Sequence, residues 1–96
     1  MRRRSNFKFR LYVAGNAPNS VLAIANLTAL CRSYLPDHHQ IEIVDVLRDP
    51  KRALTEGIFL TPTLVTLAPS PVRKIVGTLS QAQTVLQTLG LEALPV

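Results

Sequence analysis

Cysteine occurs once in these 96 residues and tryptophan not at all, aromatic side chains make up only 5% of the chain, and no long uninterrupted apolar run is present. A lone Cys31 can form neither an internal disulfide nor a thiol metal cluster, and it fits a reducing cytoplasm. A membrane helix needs about 18 consecutive apolar residues, so a soluble chain is expected. Lys8 and Arg10 interrupt the apolar stretch after the basic start, which argues against an export signal. The few aromatics are not interleaved with basic residues, so the stacking platform of a single-strand nucleic-acid binder is missing. Neither GxGxxG nor a Walker-type GxxxxGK run occurs, which removes the usual phosphate cradles. His38 and His39 are adjacent, have no Cys or acidic pair at a metal-ligand spacing, and read as loop residues. Neither a metal nor another cofactor is expected.

What is present points to one small domain. Hydrophobic residues make up 47% of the chain, enough for one core at this length. Lys and Arg total 11 against 6 acidic residues, a net charge of +5, but three of the positive charges sit together at Arg2, Arg3 and Arg4. Residues 1–6 are therefore expected to form a basic flexible tail, and residues 7–96 the folded domain. Clustered arginines can touch nucleic acid or acidic lipid, yet a solubilising tail is the commoner use of such a run.

Phe7, Phe9, Leu11 and Val13 alternate with Lys8, Arg10 and Tyr12, the period of a strand. Gly15, Asn16, Pro18 and Asn19 break it, and Asn19 or Ser20 is placed to cap a helix from Val21 to Leu35. Ile24, Leu27, Cys31 and Tyr34 form its apolar stripe, and Pro36 ends it. Ile41 to Leu47 is β-branched and reads as a second strand, with Ile41, Ile43 and Asp45 on one face and Glu42, Val44 and Val46 on the other. Asp49 followed by Pro50 predicts a helix start, with Asp49 as side-chain cap and Gly57 as the left-handed stop. Asp45, Asp49 and Glu56 are not expected to share a site. Leu64 to Ala68 and Val72 to Gly77 read as an antiparallel pair. Ser80 and Gln83 have capping-box spacing before a last helix, Gln81 to Leu89, which Gly90 stops.

The order strand, helix, strand, helix, strand, strand, helix (βαβαββα) is the α/β thioredoxin-like arrangement, a small sheet covered on both faces. Thr61-Pro62 before the third strand stands where thioredoxin-like domains carry a cis proline; the alternative is a trans proline ending a loop. A thioredoxin-type enzyme needs two cysteines at the start of the first helix, where the helix dipole lowers a thiol pKa. This chain has Gly15, Asn16, Ala17, Pro18 and Asn19 there, and Cys31 falls late on the apolar stripe as a structural residue. No enzymatic activity is expected.

The blocks LYVAGNAPNSV (Leu11 to Val21), IVDVLRDP (Ile43 to Pro50), TPTLV (Thr61 to Val65) and PSPVRKIVGTLS (Pro69 to Ser80) resemble the signature segments of the KaiB family, in the same order and over about residues 7–91. The resemblance implies a non-enzymatic circadian clock protein that binds the KaiC-type ATPase ring and helps to recruit KaiA-like partners. It also extends to the sensor domain of the kinase SasA, which competes for the same surface; with no kinase segment after Val96, a standalone clock component is expected. The family is further known for two packings of one sequence, a tetramer-forming ground state (βαββααβ) and the thioredoxin-like form, so a dimer or tetramer is a possible assembly. Pro62, Thr88 and Gly90 are the positions tied to that switch: the family commonly carries a glycine where Thr88 stands and an aspartate where Gly90 stands. Both changes are expected to favour the thioredoxin-like form by about 0.5–1 kcal/mol.

On the same resemblance, Lys51, Leu54, Gly57, Ile58, Thr61, Pro62 and Thr63 are the candidate partner-facing residues, with Leu54, Ile58 and Pro62 alternatively filling the core. Ala53 to Gly57 lacks the acidic stretch and lysine of many relatives, which points to a divergent KaiC-like partner. Two other readings stand beside this one: a thioredoxin-like adaptor in stress or kinase signalling outside a clock, and a Cys31-dependent oxidoreductase.

Overall fold

Phe7–Val13 (β1) sends buried side chains to both faces of the sheet and is paired along both edges, with the rest of the chain arranged around it. A computed structural model describes residues 6–91; residues 1–5 of the expected basic tail and the last five residues of the expected domain lie outside the described residues. The elements that follow are α1 (Pro18–Tyr34), β2 (His39–Asp45), α2 (Pro50–Thr55), β3 (Thr63–Ala68), β4 (Arg73–Val76) and α3 (Ala82–Leu89). The sheet order is β2-β1-β3-β4, with β1 and β2 parallel and the other pairs antiparallel. The order is the expected thioredoxin-like βαβαββα, and the Thr61–Pro62 peptide is cis. Ala68–Pro69 and Ser70–Pro71 are cis as well, which the sequence did not suggest.

The two faces of the sheet are unequal. Phe7, Phe9, Leu11 and Val13 point into the larger core, where Ala23, Leu27, Leu30 and Cys31 of α1 meet Val85, Leu86 and Leu89 of α3. Tyr12 points the other way into a smaller core completed by Val44, Ala53, Ile58 and Val65. A helix of six residues and the loop behind it cover that second face, and Ala53 is the one buried residue of α2.

Several local expectations are corrected. α1 begins at Pro18, with Ala17 in the cap position and no side-chain cap. Asn19 is exposed, and the buried Ser20 hydroxyl instead accepts the Ala14 amide at 3.0 Å, because the chain turning back from β1 needs that acceptor more than the helix does. Tyr34 leaves the apolar stripe and is exposed, its place near the core taken by Leu30 and Leu35. β2 starts two residues early, so His39 belongs to the strand opposite Phe7 and its Nδ1 donates to the Leu35 carbonyl at 2.7 Å. Asp49 occupies the cap position of α2 without a side-chain cap bond, leaving Pro50 as the operative start signal. The Ser80–Gln83 box does not form: Ser80 bonds the Thr78 hydroxyl, and α3 starts at Ala82 with no side-chain cap.

Both glycine stops hold. Gly90 adopts φ +74°, its amide reaches the Gln87 carbonyl at 3.1 Å and the next amide, Leu91, reaches Leu86 at 2.7 Å. That is a Schellman closure, and only glycine enters its left-handed position without a Cβ penalty. Gly90→Ala is therefore expected to lower stability to urea by about 1 kcal/mol while leaving the circular dichroism spectrum unchanged.

Candidate partner interface

The segment from α2 to β3 is shaped by its glycine. Gly57 sits at φ +72°, its amide bonds Leu54 at 3.1 Å, and the Ile58 amide bonds Ala53 at 2.9 Å. This second Schellman closure turns Ile58 inward against Ala53 and Val65. The following residues then run outward before cis Pro62 returns the chain to β3, and the Thr63 hydroxyl donates to the Leu60 carbonyl at 2.6 Å.

The candidate residues divide accordingly. Lys51 and Leu54 are on the surface, Leu54 at 67% exposure, and Gly57 and Thr61 are half-buried. Ile58, Pro62 and Thr63 are buried, so they stand behind the face rather than on it. Of the three residues alternatively assigned to the core, Ile58 and Pro62 are inside and Leu54 is not. Thr88 and Gly90 lie apart from this face, at the end of α3, where the Arg73 guanidinium donates to the Thr88 carbonyl and the Thr88 hydroxyl donates to the Thr84 carbonyl at 2.9 Å.

Sequence reasoning missed Phe59 and Leu60, exposed by 83% and 63%, and Val76 on β4, exposed by 57%. With Gly57, Ile58, Thr63 and Lys74 they line a shallow groove of about 140 Å³. The signal was present in the run Ile58-Phe59-Leu60 straight after a helix stop, because a turn that short can bury one such side chain and must expose the others.

An ion-pair network fastens α2 to the sheet. Arg10 on β1 pairs with Glu42, its partner in the β1–β2 register, at 2.8 Å, and reaches Glu56 at 3.6 Å; Arg52 of α2 reaches the same Glu42 oxygen at 2.9 Å. The hydrogen bond from Arg10, and then that from Arg52, hold the Glu42 carboxyl below its usual range. The Tyr12 side chain is fully buried against Ala53 of this helix, and its hydroxyl, which meets no partner at hydrogen-bond geometry among the described residues, has the Arg10 guanidinium as its charged neighbour.

Other chemistry-bearing residues are accounted for by structure. Asp45 and Asp49 do line one depression, of about 340 Å³, contrary to expectation, but with Arg48 and Arg52 beside them. One Asp45 oxygen is already taken by the Gly15 and Leu47 amides at 3.0 Å each. Cys31 is fully buried in α1, and burial pushes its thiol up to about 11, far from the thiolate a nucleophile needs. Among the described residues no cluster of His, Cys, Asp and Glu could hold a metal ion, and no helix is long and apolar enough to cross a membrane.

Comparison with known proteins follows this geometry. The KaiB domain profile matches residues 10–91. The chain is 44% identical to circadian clock protein KaiB3 of Synechocystis sp. over 86 residues, covering 90% of this chain and 82% of that one. It is 41% identical to circadian clock oscillator protein KaiB of Acaryochloris marina over 91 residues, 95% and 86% of the two chains. In fold it is similar to the N-terminal domain of Synechococcus elongatus SasA (TM-score 0.72, 15% identity, 100% of this chain and 94% of that one). Chloroplastic thioredoxin z is similar too (TM-score 0.74, 19% identity, 92% and 80%).

The network makes a pH-dependent prediction. A carboxyl with a lowered folded pKa contributes stability above its unfolded pKa of about 4.3, and that contribution disappears as pH falls through the folded value. Glu42→Gln is expected to be less stable than the wild type at neutral pH, by no more than about 1 kcal/mol for so exposed a group. In urea titrations the gap should close below about pH 4; a gap independent of pH would contradict the assignment.

Proposed function

This chain belongs to the KaiB family, and from that premise we propose that it is a circadian clock component that binds a KaiC-type ATPase ring through the face built by α2 and the loop 57–61. One observation carries the reading: Lys51, Leu54, Phe59 and Leu60 stand exposed together within ten residues, and Phe59, at 83%, is the most exposed large apolar side chain among the described residues. Apolar anchors beside a basic rim are the composition of a protein-binding patch. The bound chain then recruits KaiA-like partners and competes with a SasA-type kinase, a role supported by the likeness in fold to the SasA N-terminal domain. It acts in the cytoplasm, as its lone buried cysteine suits. Catalysis belongs to the ATPase, since the position used by thioredoxin thiols holds Gly15 to Asn19 and Cys31 is buried.

Binding to a purified KaiC-type ATPase tests this. The double variant Leu54→Ala, Phe59→Ala is expected to bind at least about tenfold more weakly, the usual scale for removing two anchors. Val21→Ala, Leu22→Ala, which trims exposed apolar residues of α1, should bind like the wild type. The reverse ranking would move the interface to α1.

The thioredoxin-like packing described above is the binding form, and we propose that a second packing remains within a few kcal/mol of it. Gly90 and Thr88 favour the present one, the first by its left-handed stop and the second through its helix propensity. Thr88→Gly with Gly90→Asp is expected to raise the tetramer fraction several-fold in sedimentation at micromolar concentration, the shift that about 1 kcal/mol gives. An unchanged monomer fraction would contradict it.

A further inference from the structure

The face that covers Tyr12 stops short of the sheet edge. Ala53 and Ile58 shelter β1 and β3, while Lys74 and Val76 of β4 are left exposed on the same side, bordering the groove walled by Phe59 and Leu60. The alternate β4 residue Ile75 packs on the larger core instead, and Arg73 is held by the Thr88 carbonyl. Lys74 Nζ reaches only the Glu56 carbonyl, at 3.3 Å, and among the described residues no carboxylate pairs with it.

The backbone of β4 is open in the same place. The Gly77 amide bonds the Pro62 carbonyl at 2.9 Å, so the pair opposite each other there is hydrogen-bonded. Antiparallel pairs alternate, and the register Thr63↔Val76, Leu64↔Ile75, Val65↔Lys74, Thr66↔Arg73 then gives the β3 bonds to Ile75 and Arg73. The amides and carbonyls of Lys74 and Val76 point outward, on the side where, among the described residues, β4 has no neighbouring strand.

We propose that the outer edge of β4 and the adjoining Phe59–Leu60 groove form a site that takes an extended acidic segment of the protein partner as a fifth strand. The segment's backbone bonds Lys74 and Val76, one apolar side chain enters the groove beside Phe59, and a carboxylate two residues along the same face pairs with the Lys74 ammonium. A second copy of this chain fits poorly. Two β4 strands side by side would bring two Arg73 and two Lys74 together, and no carboxylate lies on either strand. An edge lysine used only to discourage aggregation would need no apolar groove beside it. This deepens the reading of the α2 face as an ATPase-binding surface and rests on it, by stating what part of the partner reaches past α2.

The test uses the full chain and a fluorescent octapeptide of strand-forming residues with Glu and Phe two positions apart, alongside the same peptide with Gln for Glu. Wild type is expected to bind the Glu peptide, and the Gln peptide about tenfold more weakly. Lys74→Glu should lose affinity to a similar degree. Val76→Pro, which removes an outward amide and no bond to β3, should do the same with an unchanged circular dichroism spectrum. On binding, amide exchange should slow at Lys74 and Val76. Equal affinity of wild type and both variants for the Glu peptide, no peptide binding, or a wild-type dimer that Val76→Pro abolishes would each overturn the proposal. The same variants assayed on a KaiC-type ATPase separate the two claims. Undiminished ring binding by both variants removes the strand-addition site and leaves the α2 face standing; peptide binding without any ring binding does the opposite.

Discussion

β1 is held from every direction, and that constraint organises the molecule. It pairs in parallel with β2, antiparallel with β3, and sends Phe9 and Leu11 into one core and Tyr12 into the other. A strand buried on both faces tolerates little change in register, because a slip of one residue would exchange Tyr12 for Leu11 and put Arg10 into a core. Everything attached to β1 on the α1 and α3 side is thick and apolar. Everything on the other side is thin: one six-residue helix, one glycine-closed turn, and an ion-pair network centred on Glu42.

That asymmetry links structure to function. Burial worth about 25 cal/mol per Å² of apolar surface holds the larger core together, whereas exposed ion pairs such as those of α2 contribute at most about 1 kcal/mol each. The smaller face is therefore free to carry surface that does not serve folding, and Leu54, Phe59 and Leu60 are of that kind. Cys31 is sealed inside α1 by the larger core, and burial pushes its thiol up to about 11, away from the reactive thiolate.

Much of the fold was legible because the decisive signals are local. The alternation from Phe7 to Val13, Pro50 after Asp49, the stops at Gly57 and Gly90, and Thr61-Pro62 before β3 are each settled by the backbone of a few residues. What could not be read locally depended on partners outside the element concerned. Ser20 looks like a helix cap until the Ala14 amide claims its hydroxyl, and His39 looks like a loop residue until Phe7 of β1 draws it into the sheet. The candidate face was legible as a segment but not as a surface. Which of Leu54, Ile58 and Phe59 faces outward follows from how the Gly57 turn meets Ala53 and Val65, a packing relation that no spacing rule contains.

The most direct test of a thin, surface-bearing face on a rigid base is amide hydrogen exchange across the whole chain, alone and with a KaiC-type ATPase. Alone, β1 should exchange most slowly and α2 with the turn that follows it fastest among the regular elements. With the ATPase, protection should rise from Lys51 to Thr61. Protection gained instead along α1, or at Gly15 to Asn19, would contradict the account.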